Sequence, residues 1–239
     1  MTTHIKVLIS GGFFGPYEQL LQDFEHSTDI KVATGSGSSQ GMGPQTIGAQ
    51  LARGVTCDVV ILSREGLAEL ITANRISSGT DVDLARTPLG IAVRTGTPKP
   101  DISTVEAFKQ VILNAGAVAI PSSTTGLFLT KEVFPRLGLV DKINVKTTPR
   151  GTDSAAMVVT GEADLAVMPA SEIIHAPKVE LAGVLAEEIQ LNQIFAVAIV
   201  AGSKEVEAAK RLIAFLSSER ASEKIRSGGM EPCRESALG

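Results

Sequence analysis

Aromatic residues are scarce: eight Phe, the single Tyr17 and no Trp in 239 residues. Platforms on which bases or sugar rings could stack are therefore thin. The charge is 22 Lys and Arg against 26 Asp and Glu, a net of −4, without like-charge blocks. A nucleic-acid partner needs a basic patch, so none is expected. Cysteine is nearly absent too. Cys57 and Cys233 share no short motif, which excludes a zinc cluster of the paired-cysteine kind and leaves open whether the two pair. His4, His26 and His175 lack ligand spacing, so neither metal nor cofactor is expected. Phosphate-binding GxxxxGK[ST] is missing, and Gly35-Ser36-Gly37 lacks the third glycine of a dinucleotide fingerprint, where Gln40 stands. Gly37-Ser38-Ser39-Gln40-Gly41 matches GxSxG, but its loop is long and slack and only His175 follows, so a serine hydrolase is set aside. The longest apolar run, Ile194 to Ala201, falls far short of the ~20 residues of a spanning helix. The opening Met1-Thr2-Thr3-His4 has no basic start leading into an apolar stretch of roughly 7–15 residues. As written, the chain is expected in the cytoplasm without membrane insertion. It would be periplasmic, with a transporter permease as partner, if a leader had been cut away.

What is present is a 44% apolar chain able to bury substantial cores. Short β-branched runs alternate with amphipathic segments. Strands are expected near residues 6–9, 30–34, 59–62, 90–94, 117–120, 145–148, 165–168, 179–184 and 195–200, with helices between them. This alternation implies an α/β fold with mainly parallel sheets covered by helices on both faces. The similar apolar segments Pro88 to Arg94 and Ile194 to Val200 read as crossovers between two lobes. Residues 1–86 with 200–239 then form lobe one, residues 95–192 form lobe two, and 87–94 and 193–199 are the hinge strands. A cleft between lobes is the expected ligand site.

The recurrent feature is a strand, a turn of small residues and a helix start. Ser10-Gly11-Gly12 follows the first strand, and Ser38 and Ser39 lie in the glycine-serine loop after the second. Ser122-Ser123-Thr124-Thr125-Gly126, Arg150-Gly151-Thr152-Asp153 and Pro169-Ala170-Ser171 repeat the pattern. Backbone N–H groups, hydroxyls and the positive end of a helix suit an anion, although the same residues serve as plain helix caps. Arg64 directly after the 59–62 strand, Arg86 before one crossover and Arg150 at a helix start could grip a carboxylate through two parallel hydrogen bonds. The expected ligand set is therefore Ser10, Gly11, Gly12, Ser38, Ser39, Arg64, Arg86, Ser123, Thr124, Thr125, Arg150, Asp153 and Ser171.

The succession of Ser10-Gly11-Gly12, Phe24 to Val32, the glycine-serine loop, Cys57 to Leu62, Gly161-Glu162-Ala163-Asp164, Ala201 to Lys204 and Ala208 to Ser218 resembles the type II periplasmic solute-binding proteins, molybdate-binding branch. Asp83-Leu84-Ala85-Arg86, Ala92-Val93-Arg94 and Pro98-Lys99-Pro100-Asp101 resemble a side branch that includes aconitate isomerase. The resemblance implies two lobes closing on a small anion, with Ser10 and Ser39 serving from one lobe and the Ser122 to Thr125 turn and the Asp153 neighbourhood from the other. Gly11-Gly12 after Ser10, and Arg64 beside the expected mouth, depart from the molybdate pattern. Two readings follow: a binding module for an oxyanion or carboxylate, and an aconitate-type isomerase that moves a proton on an unsaturated tricarboxylate. For the second, Glu172, Tyr17 and His175 are the available bases, and no spacing picks one.

Overall fold

The computed structural model describes residues 3–233. The chain divides into two compact units, Met1–Arg86 with Ile194–Gly239 (unit 1) and Thr87–Gln193 (unit 2).

Unit 1 begins with β1 (Thr3–Ile9), a short 3-10 turn (Gly11–Phe13), α1 (Phe14–Ser27), β2 (Ile30–Ser36), α2 (Ile47–Ala52), β3 (Val59–Ser63), α3 (Arg64–Thr72) and β4 (Val82–Thr87). Unit 2 runs β5 (Leu89–Arg94), α4 (Val105–Asn114), β6 (Val118–Pro121), α5 (Thr124–Phe128), α6 (Phe134–Arg136), β7 (Val145–Thr148), α7 (Gly151–Thr160), β8 (Leu165–Pro169), α8 (Ala170–Ile173) and β9 (Val179–Val184). The chain closes in unit 1 with β10 (Gln193–Ile199), α9 (Val206–Leu216), α10 (Glu219–Ser227) and β11 (Glu231–Pro232).

The sheet of unit 1 has the order β11-β4-β10-β3-β1-β2, and that of unit 2 the order β7-β6-β8-β5-β9. Both contain the same arrangement: three parallel strands (β2-β1-β3 and β7-β6-β8) followed by an antiparallel one (β10 and β5). The sheets are thus mixed rather than mainly parallel. The antiparallel members include the very segments expected as hinges: β5 pairs with β8 and β9 inside unit 2, and β10 pairs with β3 inside unit 1. Their apolar runs are explained by central sheet positions buried on both faces.

That two-sided burial is legible strand by strand. Val59 and Ile61 of β3 join one apolar cluster with Val7, Phe24 and Leu212, while Val60 and Leu62 join another with Leu8, Ile47 and Leu67. In unit 2, Ile91, Val118 and Val167 face Phe108 and Ile112, whereas Ala92, Ala119 and Ala166 face Ala155 and Val158 of α7. Period two along each strand produces the split. The alanine face lets α7 lie close to its sheet. Helix α9 buries Ala209, Leu212, Ile213 and Leu216, the spacing of one helical face.

Two elements lie outside the expected pattern. In β4, Asp83 and Arg86 interrupt the apolar signal, and β11 has two residues, too few for any periodicity. The helical stretch between β6 and β7 is divided: a π stretch (Leu129–Val133) separates α5 from α6. Pro135 has no N–H for the carbonyl four residues back, and the wider turn sits just before it. Cys57 and Cys233 are free thiols, and burial pushes the Cys57 thiol up to about 11, so it is inert.

Candidate functional site

In unit 1 the parallel strands β2, β1 and β3 deliver their C-terminal ends to one sheet edge, with Ile9 opposite both Ser36 and Ile61. Ser10 N–H donates to Ile61 O (2.9 Å) and Gly37 N–H to Ile9 O (3.1 Å), so the turns after these strands are stitched together. The loop that follows is ordered by specific bonds. Ser38 N–H donates to Gln45 O, Ile47 N–H donates to Ser38 O, and the Thr46 hydroxyl caps α2 through Ala49 N–H. Ser39 Oγ accepts from Ser63 N–H at 2.9 Å, and Ser63 Oγ accepts from Gly66 N–H at 3.2 Å in the first turn of α3.

Ser10 differs from these hydroxyls. It is 4% exposed, and its Oγ is the one buried side-chain polar atom without a hydrogen-bond partner among the described residues. A buried hydroxyl left unpaired costs free energy of order 1–3 kcal/mol, which a bound acceptor would restore. Of the two glycines after it, Gly11 is exposed, while Gly12 is buried so close to the Phe195 ring that a Cβ there would overlap it.

The arginines of unit 1 do not stand as anticipated. The Arg64 guanidinium reaches Asp81 with Nη1 (2.6 Å) and Asp83 with Nε (2.6 Å) and Nη2. Arg64, expected as a clamp on a ligand carboxylate, is here held in an ion network with these two aspartates. Arg86, also expected as a ligand residue, pairs with Glu231 at 2.6 Å and joins β4 to the terminal strand β11.

In unit 2, β7, β6 and β8 again end at one edge, Pro121 lying opposite Thr148. Ser122 N–H donates to Thr148 O (2.7 Å). Ser123 precedes α5 without a side-chain cap bond of its own to that helix. Thr124 and Thr125 are buried, and the Thr125 hydroxyl donates to Gln193 Oε1 at 3.2 Å. Gly126 packs on Pro121 O, where any Cβ would collide. The turn into α7 is pinned by Thr148, whose Oγ1 donates to Arg150 O (2.8 Å) and lies 2.6 Å from Ser154 Oγ. Ser171 is buried, its N–H donating to Thr87 Oγ1. Arg150 is half-exposed at the start of α7, 3.4 Å from Asp153.

Glu172 gains an importance that its sequence neighbourhood did not signal. Its carboxyl lies over Gly151, the first residue of α7; a Cβ on Gly151 would overlap Oε2 and fall 2.9 Å from Cδ and 3.1 Å from Met168 Cε. Burial pushes this carboxyl up to about 7, against the lowering influence of Arg150. The other two candidate bases fare differently. Tyr17 is 1% exposed, its OH is 2.8 Å from Thr34 Oγ1, and burial raises it to about 12. His175 is exposed, beyond the end of α8. Among the described residues no group of three His, Cys, Asp or Glu side chains could hold a metal ion.

The family profile described as bacterial extracellular solute-binding protein matches residues 5–231. A curated relative, aconitate isomerase from Pseudomonas sp., is 32% identical over 231 residues, covering 96% of this chain and 88% of its own. Among solved structures, the periplasmic molybdate-binding protein of Azotobacter vinelandii superposes with a TM-score of 0.74 at 22% identity, covering 95% of this chain and 98% of its own. The sulfate-binding protein of Mycobacterium tuberculosis H37Rv gives 0.75 at 21% identity, covering 96% and 87%. At those identities the two structures share the fold.

Proposed function

Because the chain belongs to the bacterial extracellular solute-binding protein family, we propose that it binds a small anion, a carboxylate or an oxyanion, through turns at its strand ends. The observation that carries this reading is the buried, unpartnered Ser10 Oγ at the edge where β1, β2 and β3 end. A hydroxyl there donates to an anion without bringing a charge of its own. Backbone amides at the start of α3, which follows β3, supply further positive potential. The molybdate- and sulfate-binding neighbours support the oxyanion form of this reading, and the aconitate isomerase relative supports the carboxylate form. No helix among the described residues is long and apolar enough to cross a membrane. A transporter permease is proposed as partner only for an exported, periplasmic chain; one that stays in the cytoplasm keeps the small anion as its partner.

A second reading is an aconitate-type isomerase. It is favoured by the 32% identical relative and by a carboxyl, Glu172, held near neutrality beside the start of α7. A thermal-shift panel of molybdate, sulfate, phosphate, citrate and cis- and trans-aconitate tests binding. A ligand at a hundred times its Kd stabilises by about 2.7 kcal/mol, a shift of roughly 5–11 °C at this chain length. A shift with one class of anion is expected; none with any of them at millimolar concentration would defeat the anion-binding reading.

A further inference from the structure

Resting on the isomerase reading, we infer that Glu172 is the residue that carries the proton when this chain shifts a double bond in an unsaturated tricarboxylate. The geometry is local to unit 2. Gly151 opens the ten-residue helix α7, and the Glu172 carboxyl occupies the space a Cβ would take there. Any side chain at 151 would push the carboxyl away, so the glycine keeps an acid seated at the helix start. Met168 Cε forms an apolar wall beside it. Among the described residues the carboxyl makes no hydrogen bond, and the charge that acts on it is Arg150, whose own partner is Asp153. A half-buried acid with no protein partner is placed to exchange a proton with something else.

Its level near 7 means that acid and carboxylate coexist at neutral pH, which suits a group that must first take a proton and then return it. In the step, the Glu172 carboxylate removes a proton from the methylene carbon next to the double bond. The electron pair of that C–H bond becomes the new C=C bond. The old π pair forms a C–H bond at the former vinyl carbon with the proton Glu172 now holds. No atom is gained or lost and nothing is oxidised, so no co-reactant is required. Arg150 lies close enough to influence Glu172 and stands half-exposed, able to offset carboxylate charge that builds up as the proton leaves.

The test follows cis- and trans-aconitate in D2O by proton NMR, reading isomer conversion and deuterium uptake, with calorimetry reading binding separately. Wild type is expected to interconvert the isomers and take up deuterium. Glu172→Gln, checked for folding by its thermal melt, is expected to bind both probes within about threefold of wild type while losing 10²- to 10⁴-fold in conversion and exchange. Exchange at the wild-type rate in that variant overturns the proposal. If it does not fold, Glu172→Asp decides: a tenfold or larger fall in kcat with KM little changed supports the role, and an unchanged kcat overturns it. Wild type that binds aconitate without converting or exchanging it overturns both the role and the isomerase reading, leaving the anion-binding reading standing. Wild type that binds no anion removes all three.

Discussion

In unit 1 the strand ends meet hydroxyls and amides, and the neighbouring guanidinium, Arg64, is tied to Asp81 and Asp83. In unit 2 the equivalent strand ends, in the same strand order, meet a carboxyl held near neutrality and a half-exposed Arg150. One topology therefore carries two kinds of turn. The first can hold an anion without changing its own charge, because a serine hydroxyl and backbone N–H groups do not titrate in the working range. The second contains a group that does. The difference teaches that the fold supplies the positions, while one half-buried acid over one glycine decides whether a turn can also move a proton.

The comparison can be sharpened first through pH, where the expected effect is largest. Glu172 sits higher in the folded protein than the usual glutamate, so the folded state binds the extra proton. Its contribution to stability is fully present below the ordinary glutamate value of 4.5 and is lost as pH rises through about 7. The full swing is up to about 3 kcal/mol, reduced by whatever solvent reaches the group. Carboxyls elsewhere carry the opposite sign: Lys224 holds Asp23 low and the Val32 N–H holds Glu25 low, so their contribution is lost on acidification instead. Urea denaturation of wild type and Glu172→Gln between pH 4.5 and 7.5 reads this directly. The variant should lack the decline, and a parallel decline in both proteins would show that Glu172 is not its source.

A smaller effect is expected at Arg64. Replacing it with Met leaves Asp81 and Asp83 as two half-buried like charges, which should lower stability by about 1–2 kcal/mol. Anion affinity should stay within about twofold. A tenfold loss of affinity with stability unchanged would return Arg64 to the ligand and erase the contrast between the units.

Most of the secondary structure was legible because period-two and period-3.6 signals are local. Val59 to Leu62 reads as a buried strand, and residues 105–114 read as a helix from the sequence alone. Ser10 was legible for a similar reason, being a small hydroxyl between the first strand and the first helix. The ion network of Arg64 was not read, because its partners lie 17 and 19 residues away. The signal was nevertheless there: Asp81 and Asp83 alternate, so an extended chain aims both to one side. Glu172 gave no such hint. An acid in the first turn of a helix is ordinarily a solvated partner of the helix dipole, and only the tertiary approach of α7 to α8 takes it partly out of solvent. The antiparallel entry of β5 and β10 was hidden for the same reason, since direction in a sheet is set by connections rather than composition.

The central claim is most directly tested by calorimetric titration of wild type and Ser10→Ala with whichever anion the thermal panel selects. Loss of one hydroxyl bond to a charged ligand should weaken binding about 10- to 100-fold. The melting temperature of the ligand-free variant should be unchanged or slightly higher, because an unpaired buried hydroxyl has been removed. Equal affinity in the two proteins would contradict the account, since the orphaned hydroxyl at the end of β1 would then have no part in holding the anion.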